Sequence, residues 1–229
     1  MRALRILLIV AVVLGGIFVV VDRVAVNMAE SKASERIRVQ QGAAGSTDVS
    51  IKGFPFLTQV AGKELDEVEI KLSGIEASAS GRRVRITEMS ADLFQVRLGE
   101  GYSSATAARA EGVARISYAD LTAASDDGVT VAYGGNGKLK VTGSVEFLGR
   151  KVTRSVVSTV SLVDGDTIRV RADEVPGEGI PGLEDLVRRR TDFDRQIGGL
   201  PTGLELEKVE AKADGVVFTV TGKDVELTG

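Results

Sequence analysis

Apolar and polar positions follow two regimes along this chain. From Ile6 to Val21 no residue is charged and all but Gly15 and Gly16 are apolar. Beyond about residue 48 the apolar residues instead recur at every second position. Val68, Ile70 and Leu72 alternate with Glu67, Glu69 and Lys71, and Leu139, Val141, Val145 and Phe147 with Lys140, Thr142, Ser144 and Glu146. Ile168, Val170 and Ala172 alternate with Arg169, Arg171 and Asp173, and Val216, Phe218 and Val220 repeat the pattern near the end. A period of two collects the apolar side chains on one face, which predicts antiparallel strands with the other face in water. Turn residues stand between them at Gly134-Gly135-Asn136-Gly137, Leu148-Gly149-Arg150, Asp164-Gly165-Asp166 and Asp214-Gly215, so the strands are expected to join as hairpins.

Three stretches carry helical spacing instead. Val24 to Gln40 places Ala25, Met28, Ala29, Ala33 and Ile37 on one face, as an amphipathic continuation of the apolar run, and the Gly, Ala and Ser residues of Gln41 to Thr47 end it. A short helix is expected at Tyr118 to Ala124. A longer one is expected from Leu183 to about Ile197, with Leu183, Leu186, Val187, Phe193 and Ile197 on one face. The fold class is therefore α+β, a curved antiparallel sheet packed around helices. Residues 1–23 read as an anchor and residues 24–229 as a single domain, since a chain of 229 residues is long enough for one substantial core.

The apolar run is an address. Arg2 and Arg5 precede it and Asp22 and Arg23 close it. Its sixteen residues span roughly 24 Å as a helix, a little short of the roughly 30 Å hydrocarbon layer but extendable by Leu4 and Val24. Signal cleavage needs small residues at −3 and −1, and a cut after Ala25 or Ala29 would put Arg23 or Asn27 at −3, so the signal peptide reading gives way to an uncleaved signal anchor. Basic residues before the run put the N-terminus in the cytoplasm, which makes this a single-pass protein of the cell membrane with its domain on the extracytoplasmic, periplasmic side.

Composition removes much chemistry. Without cysteine, histidine or tryptophan there is no disulfide framework, no Cys/His zinc site and no Ser-His-Asp triad. The net charge of −3, more negative still without Arg2 and Arg5, offers no excess of cations to a nucleic acid. Asp164-Gly165-Asp166 and Asp192-Phe193-Asp194 match the Asp-x-Asp pattern of metal-dependent transferases, but the first reads as a turn and the second as a helix on which i and i+2 point apart. We therefore expect no enzyme, no catalytic residue, no metal and no cofactor.

The candidate binding residues are apolar. Phe54, Phe56, Leu57 and Val60 cluster around Pro55 in a chain with seven phenylalanines, and either plug one end of the core, or line or gate the mouth of a lipid pocket, or dip into the membrane interface. If Thr106 to Ser117 is a strand, one face reads Thr106, Ala108, Ala110, Gly112, Ala114 and Ile116. Such small residues either let a helix pack closely or leave a cavity for acyl chains, with Ala108, Ala110 and Ala114 as its lining. Arg188, Arg189 and Arg190 form a dense basic run, either a solvated helix face or a site for anionic headgroups, in a field weakened by Asp185, Asp192 and Asp194.

Two segments carry a family pattern. One is Val49-Ser50-Ile51-Lys52-Gly53-Phe54-Pro55-Phe56-Leu57-Thr58-Gln59 followed by Gly62, and the other is Leu200-Pro201-Thr202-Gly203-Leu204 followed by a strand, Asp214-Gly215-Val216 and Gly222. With the N-terminal apolar run they resemble the LmeA-like phospholipid-binding family of actinobacterial cell-envelope proteins. The resemblance implies a cup-like fold of the tubular lipid-binding kind, phospholipid as partner, and a role in envelope lipid or lipoglycan (mannan) assembly beside an envelope glycolipid enzyme. The competing expectation is a structural or interaction module that displays its sheet to such an enzyme and holds no lipid.

Overall fold

The computed structural model describes residues 2–40, 45–79, 82–102, 104–147, 150–173, 185, 188, 189, 191–197 and 200–228. Helix α1 (Arg2–Gln40) is continuous through Asp22 and Arg23, so the apolar run and the amphipathic stretch are one rod. There follow β1 (Ser46–Lys52), α2 (Phe56–Ala61), β2 (Glu64–Ala79), β3 (Arg82–Leu98), a 3₁₀ turn (Glu100–Tyr102), β4 (Ser104–Ile116) and α3 (Tyr118–Ala123). The remainder is β5 (Thr130–Gly135), β6 (Lys138–Phe147), β7 (Arg150–Val163), β8 (Thr167–Ala172), β9 (Phe193–Gln196), β10 (Leu204–Lys212) and β11 (Gly215–Thr228). All pairings are antiparallel, in a six-stranded sheet of order β1-β2-β3-β4-β11-β10 and a five-stranded sheet of order β5-β6-β7-β8-β9. Both sheets are open and curved, and the fold is the α+β class, mostly antiparallel sheet, that the alternation pointed to.

The turns expected from the sequence form where their residues tolerate left-handed backbone. Asn136 and Gly137 (φ 51° and 74°) join β5 to β6, and Asp164 and Gly165 (φ 55° and 74°) join β7 to β8. The Leu148-Gly149 turn lies outside the described residues. The helix expected over Leu183 to Ile197 is overturned in its second half. Asp185, Arg188, Arg189 and Thr191 are helical, but Phe193 to Gln196 is strand β9, paired with β8 through Val170↔Phe193 and Ile168↔Arg195. The open edge of β8 supplies ladder bonds there, and Asp194 is clamped by Arg169 at 2.9 Å and Arg171 at 2.9 Å, which outweighs the helical spacing. Leu183, Leu186 and Val187 lie outside the described residues.

Helix α1 covers the free edge of β1. Glu30 Oε1 accepts the Ile51 amide at 2.7 Å and Ser34 Oγ accepts that of Val49 at 3.1 Å, satisfying donors that no strand reaches. Ala25, Ala29, Ala33 and Ile37 pack on the sheet as the spacing implied. Met28 does not, being 56% exposed, and Val26 is buried in its place. The contacting stripe thus runs Asp22, Val26, Ala29, Ala33, Ile37, one shoulder away from that drawn through Met28.

A transverse bend curves the larger sheet. Asp66, Gln95, Ala108 and Asp224 lie in one cross-strand row that drops out of the pairing ladder with no change of register. Gln95 and Asp224 have left-handed backbone (φ 50° and 48°). Side-chain parity therefore reverses across the row. Leu65, Val96, Ala107 and Val225 point into the core on one side of it, and Val68, Leu93 and Ala110 on the other, each pair three residues apart instead of two. The strand face expected through Thr106, Ala108 and Ala110 is accordingly broken at Ala108. Its half-buried methyl marks the bend, while Ala107, on the face read as outward, is wholly buried.

Two core clusters result. One gathers α1, α2, β1 to β4 and the end of β11 around Val49, Phe56, Leu65, Val68, Leu93, Val96, Ala110 and Val225. The other gathers the smaller sheet against β10 and β11, through Leu139, Val141, Val156, Ile168 and Val170 facing Leu206, Val209, Val216 and Val220. Each fully buried valine here is worth roughly 1.5–3 kcal/mol over exposure. Ala110 is 2% exposed within the first cluster, so Ala110→Phe is expected to overpack it and cost about 1–3 kcal/mol in a denaturant titration. Ser158 Oγ is buried with no hydrogen-bond partner, so Ser158→Ala should leave stability unchanged or raise it by about 1 kcal/mol in the same measurement.

Candidate functional site

The Phe54 to Leu57 segment is fixed by a residue far from it in sequence. Helix α2 begins after Pro55 with no side-chain cap of its own. Its leading amides point instead at Asp22 on α1, whose Oδ1 accepts the Leu57 N–H at 2.8 Å. Asp22 is fully buried and Arg23 Nη2 sits 3.1 Å from its other oxygen. Both oxygens of this buried carboxyl are thus partnered, one by the Leu57 amide of α2 and the other by the neighbouring guanidinium.

With α2 held so, Phe56 turns into the first core cluster and Leu57 and Val60 pack against it half-buried. Phe54 points the other way. It is 55% exposed and carries the Arg23 guanidinium 5.1 Å above its ring. The four apolar residues read together from the sequence thus divide between a plug (Phe56, Leu57, Val60) and an exposed aromatic at the foot of the apolar helix (Phe54).

The face of the larger sheet that carries both clusters has between them a strip of mostly small side chains, a trough in side-chain size. Leu72, Met89, Ala114 and Phe218 stand in one cross-strand row, and Ile70, Ala91, Gly112 and Val220 in the next. The floor on β3 and β4 is made of Met89, Ala91, Gly112 and Ala114, which belong to neither cluster. Met89, Ala91 and Ala114 are half-buried. Larger side chains on β2 and β11 stand on either side. A β-carbon on Gly112 would come 2.8 Å from Val220 Cγ2, so the glycine is what lets that wall lean inward. Of the small residues singled out on β4, Ala114 lies in this trough, Ala110 in the first core cluster and Ala108 at the bend.

The basic run lies elsewhere, past the end of β8. Arg188 donates to the Ala172 carbonyl at 3.2 Å and lies 3.7 Å from Asp192, Arg189 is exposed, and Arg190 lies outside the described residues. Two hollows of about 430 and 470 Å³ also mark the surface. The first is lined by Ser46, Ser73, Arg85, Thr87 and Asp120, a polar wall unsuited to acyl chains, and the second mixes Asp92, Glu111 and Glu207 with Gly112, Val113 and Val220.

The model of the LmeA-like phospholipid-binding proteins matches residues 20–221. The chain belongs to this family. Among curated proteins and among solved structures, none matches it. The LmeA-like match begins two residues before Asp22 and takes in α2, the trough and both sheets. It supports lipid binding as the activity, and an apolar trough is a site of that kind.

Three of the four acids of the two Asp-x-Asp matches are already partnered. Asp166 accepts from Gln196 at 2.6 Å and Thr167 at 2.7 Å, and both hold its carboxyl below its ordinary value. Asp194 is held down first by Arg169 and then by Arg171, and Asp192 accepts the Ala172 amide at 2.9 Å. Asp194 therefore stands on a strand edge and not on the helix expected for it. Among the described residues no three acidic side chains converge as a metal site.

Sequence reasoning missed Met89 and Ala91, which the strand pairing brings beside Ala114, and it missed Asp22, read as the charge that closes the apolar run. Asp22→Ala removes the acceptor of the Leu57 amide and leaves that donor buried, so it should cost about 1–3 kcal/mol of stability, read as a lower melting temperature by circular dichroism. A chain shortened to begin at Val24 should melt below one that begins before Asp22.

Proposed function

We propose that this protein is a membrane-tethered lipid binder. Its domain, residues 24–229 together with the buried Asp22, stands on the extracytoplasmic side and takes a phospholipid acyl chain into the trough floored by Met89, Ala91, Gly112 and Ala114. Helix α1 is long and apolar enough to cross a membrane, and its apolar stretch is unburied by the rest of the chain. Arg2 and Arg5 before it favour a cytoplasmic N-terminus. The observation that carries the binding reading is the half-buried floor of small side chains left between two otherwise closed core clusters.

The work such a trough does is exchange. An acyl chain gains about 0.8 kcal/mol per methylene on leaving water but almost nothing on leaving a bilayer, because it is already in hydrocarbon. A site of modest depth beside the membrane can therefore take up and return lipid. That behaviour suits envelope lipid or lipoglycan assembly, with the lipid presented to an envelope enzyme. Headgroup contact by Arg188, Arg189 and Arg190 belongs to the same reading as an electrostatic contribution that salt would screen.

The full-length protein, released from detergent and examined by native mass spectrometry, should carry co-purified phospholipid. Ala114→Phe and Ala91→Phe should lose most of it while the circular dichroism spectrum and melting temperature stay near those of the native chain. Lipid retained in full by both variants would remove the trough as the site. A native chain that carries no phospholipid and takes up none would favour the interaction module.

A further inference from the structure

We infer that the turn between β3 and β4, with Tyr102 at its tip, is a second membrane contact that docks this rim of the larger sheet on the bilayer surface beside α1. The inference rests on reading α1 as a membrane span.

The direction of the rim follows from the contacts of α1. Going back along the helix from Ser34 to Glu30, its partners go forward along β1 from Val49 to Ile51, so α1 runs antiparallel to β1 and the membrane lies beyond the end of β1. That end holds Phe54, the start of β2, the end of β3 and the start of β4. Lys63, which precedes β2, accepts the Leu98 amide at 2.9 Å and ties the β3 end to the foot of α2.

The level of the turn can be placed. From Glu30 back to Asp22 the helix descends about 12 Å. Ile51, beside Glu30, pairs with Val68 and through it with Leu93. From Leu93 to Leu98 a straight β3 would advance about 16 Å, and the bend at Gln95 together with the twist accumulated over two strands shortens this to roughly 12 Å or less along the helix axis. Leu98 thus ends about level with Asp22, where the apolar run begins, and Gly99 to Tyr102 project past it. The turn is built to project. Gly101 and Tyr102 are both left-handed (φ 68° and 57°), the Tyr102 amide donates to Gly99 O at 3.2 Å, and the Gly99 amide to Ser104 O at 2.9 Å.

Tyr102 is 55% exposed, as is Phe54. Two outward aromatics at the level where a membrane helix leaves the hydrocarbon match the preference of such rings for the headgroup layer. The occupant is therefore a bilayer surface. One helix alone would let the domain swing, and a contact two strands away from it holds the sheet in one orientation above the lipid it draws on.

The chain contains no tryptophan, so a single substitution makes a clean reporter. Phe54→Trp, Tyr102→Trp and, as a control, Tyr133→Trp are made in the full chain. Tyr133 is exposed near the far end of the sheet, 6.5 Å from Tyr118. Each variant is reconstituted in vesicles of phosphatidylcholine and phosphatidylglycerol, with phosphatidylcholine brominated near the top of its acyl chains as quencher. The emission of Phe54→Trp and Tyr102→Trp should shift to shorter wavelength and be quenched, while that of Tyr133→Trp stays as in water. If Tyr102→Trp behaves like the control while Phe54→Trp is quenched, the docking contact is overturned and the tether stands. If no variant is quenched and the chain does not float with the vesicles, the membrane-span reading fails and takes the contact with it.

Discussion

The carboxylate of Asp22 is buried where water does not reach it, and the fold partners both its oxygens, aiming the Leu57 amide of α2 at one and laying Arg23 against the other. A helix start leaves amide donors without partners, and a six-residue helix preceded by proline has no side chain of its own to offer them. The acceptor must come from elsewhere, and its coming from the last turn of the apolar run joins the helix at the chain's start to the plug of the core. Phe56, Leu57 and Val60 are placed by that bond, and the exposure of Phe54 follows from it. The structural seam therefore falls between Val21 and Asp22, since a cut after Arg23 would remove the partner on which α2 depends.

The bend through Asp66, Gln95, Ala108 and Asp224 does for the sheet what Asp22 does for the helix. A flat sheet of six strands would present one continuous face to α1 or to the smaller sheet. Reversing parity along one row lets residues on both sides of it point into the same cluster, so the end of the sheet beside Phe56 wraps around α2 while the remainder meets the smaller sheet. Gly222, opposite Ala110, serves the same packing, because a β-carbon there would stand 2.6 Å from Val225 Cγ2 and 3.1 Å from Leu204 Cδ1. The trough is what remains between two such closures, and its small side chains keep it from filling.

Much of this was legible in the sequence. The alternation around Val68, Leu139, Ile168 and Val216 located strands, the Asn-Gly and Asp-Gly turns located hairpins, and the family pattern pointed to lipid. What escaped has a common cause. A period-two reading assumes constant parity, and the bend breaks it at Gln95 and Asp224, residues whose left-handed backbone carries no glycine to announce it. A helical reading of Phe193 to Ile197 took spacing alone and had no view of the open edge of β8. Met89 and Ala91 became part of a trough only through pairing with β4, and Asp22 met Leu57 across thirty-five positions. These are long-range facts, invisible to local pattern.

On the proposed function, the membrane helix and the trough answer different parts of one energetic problem. A lipid in water gains much from any apolar groove, so tight binding would be easy and release slow. A lipid in a bilayer gains nearly nothing on transfer, so the balance is set by contacts at the headgroup and by how far the chain must travel through water. Keeping the trough at the end of a short rigid link, with Asp22 locking the link to the domain, shortens that path. On this proposal depth of pocket matters less than closeness to the membrane, so that a shallow floor of Met89, two alanines and one glycine would suffice for a chain held beside the bilayer.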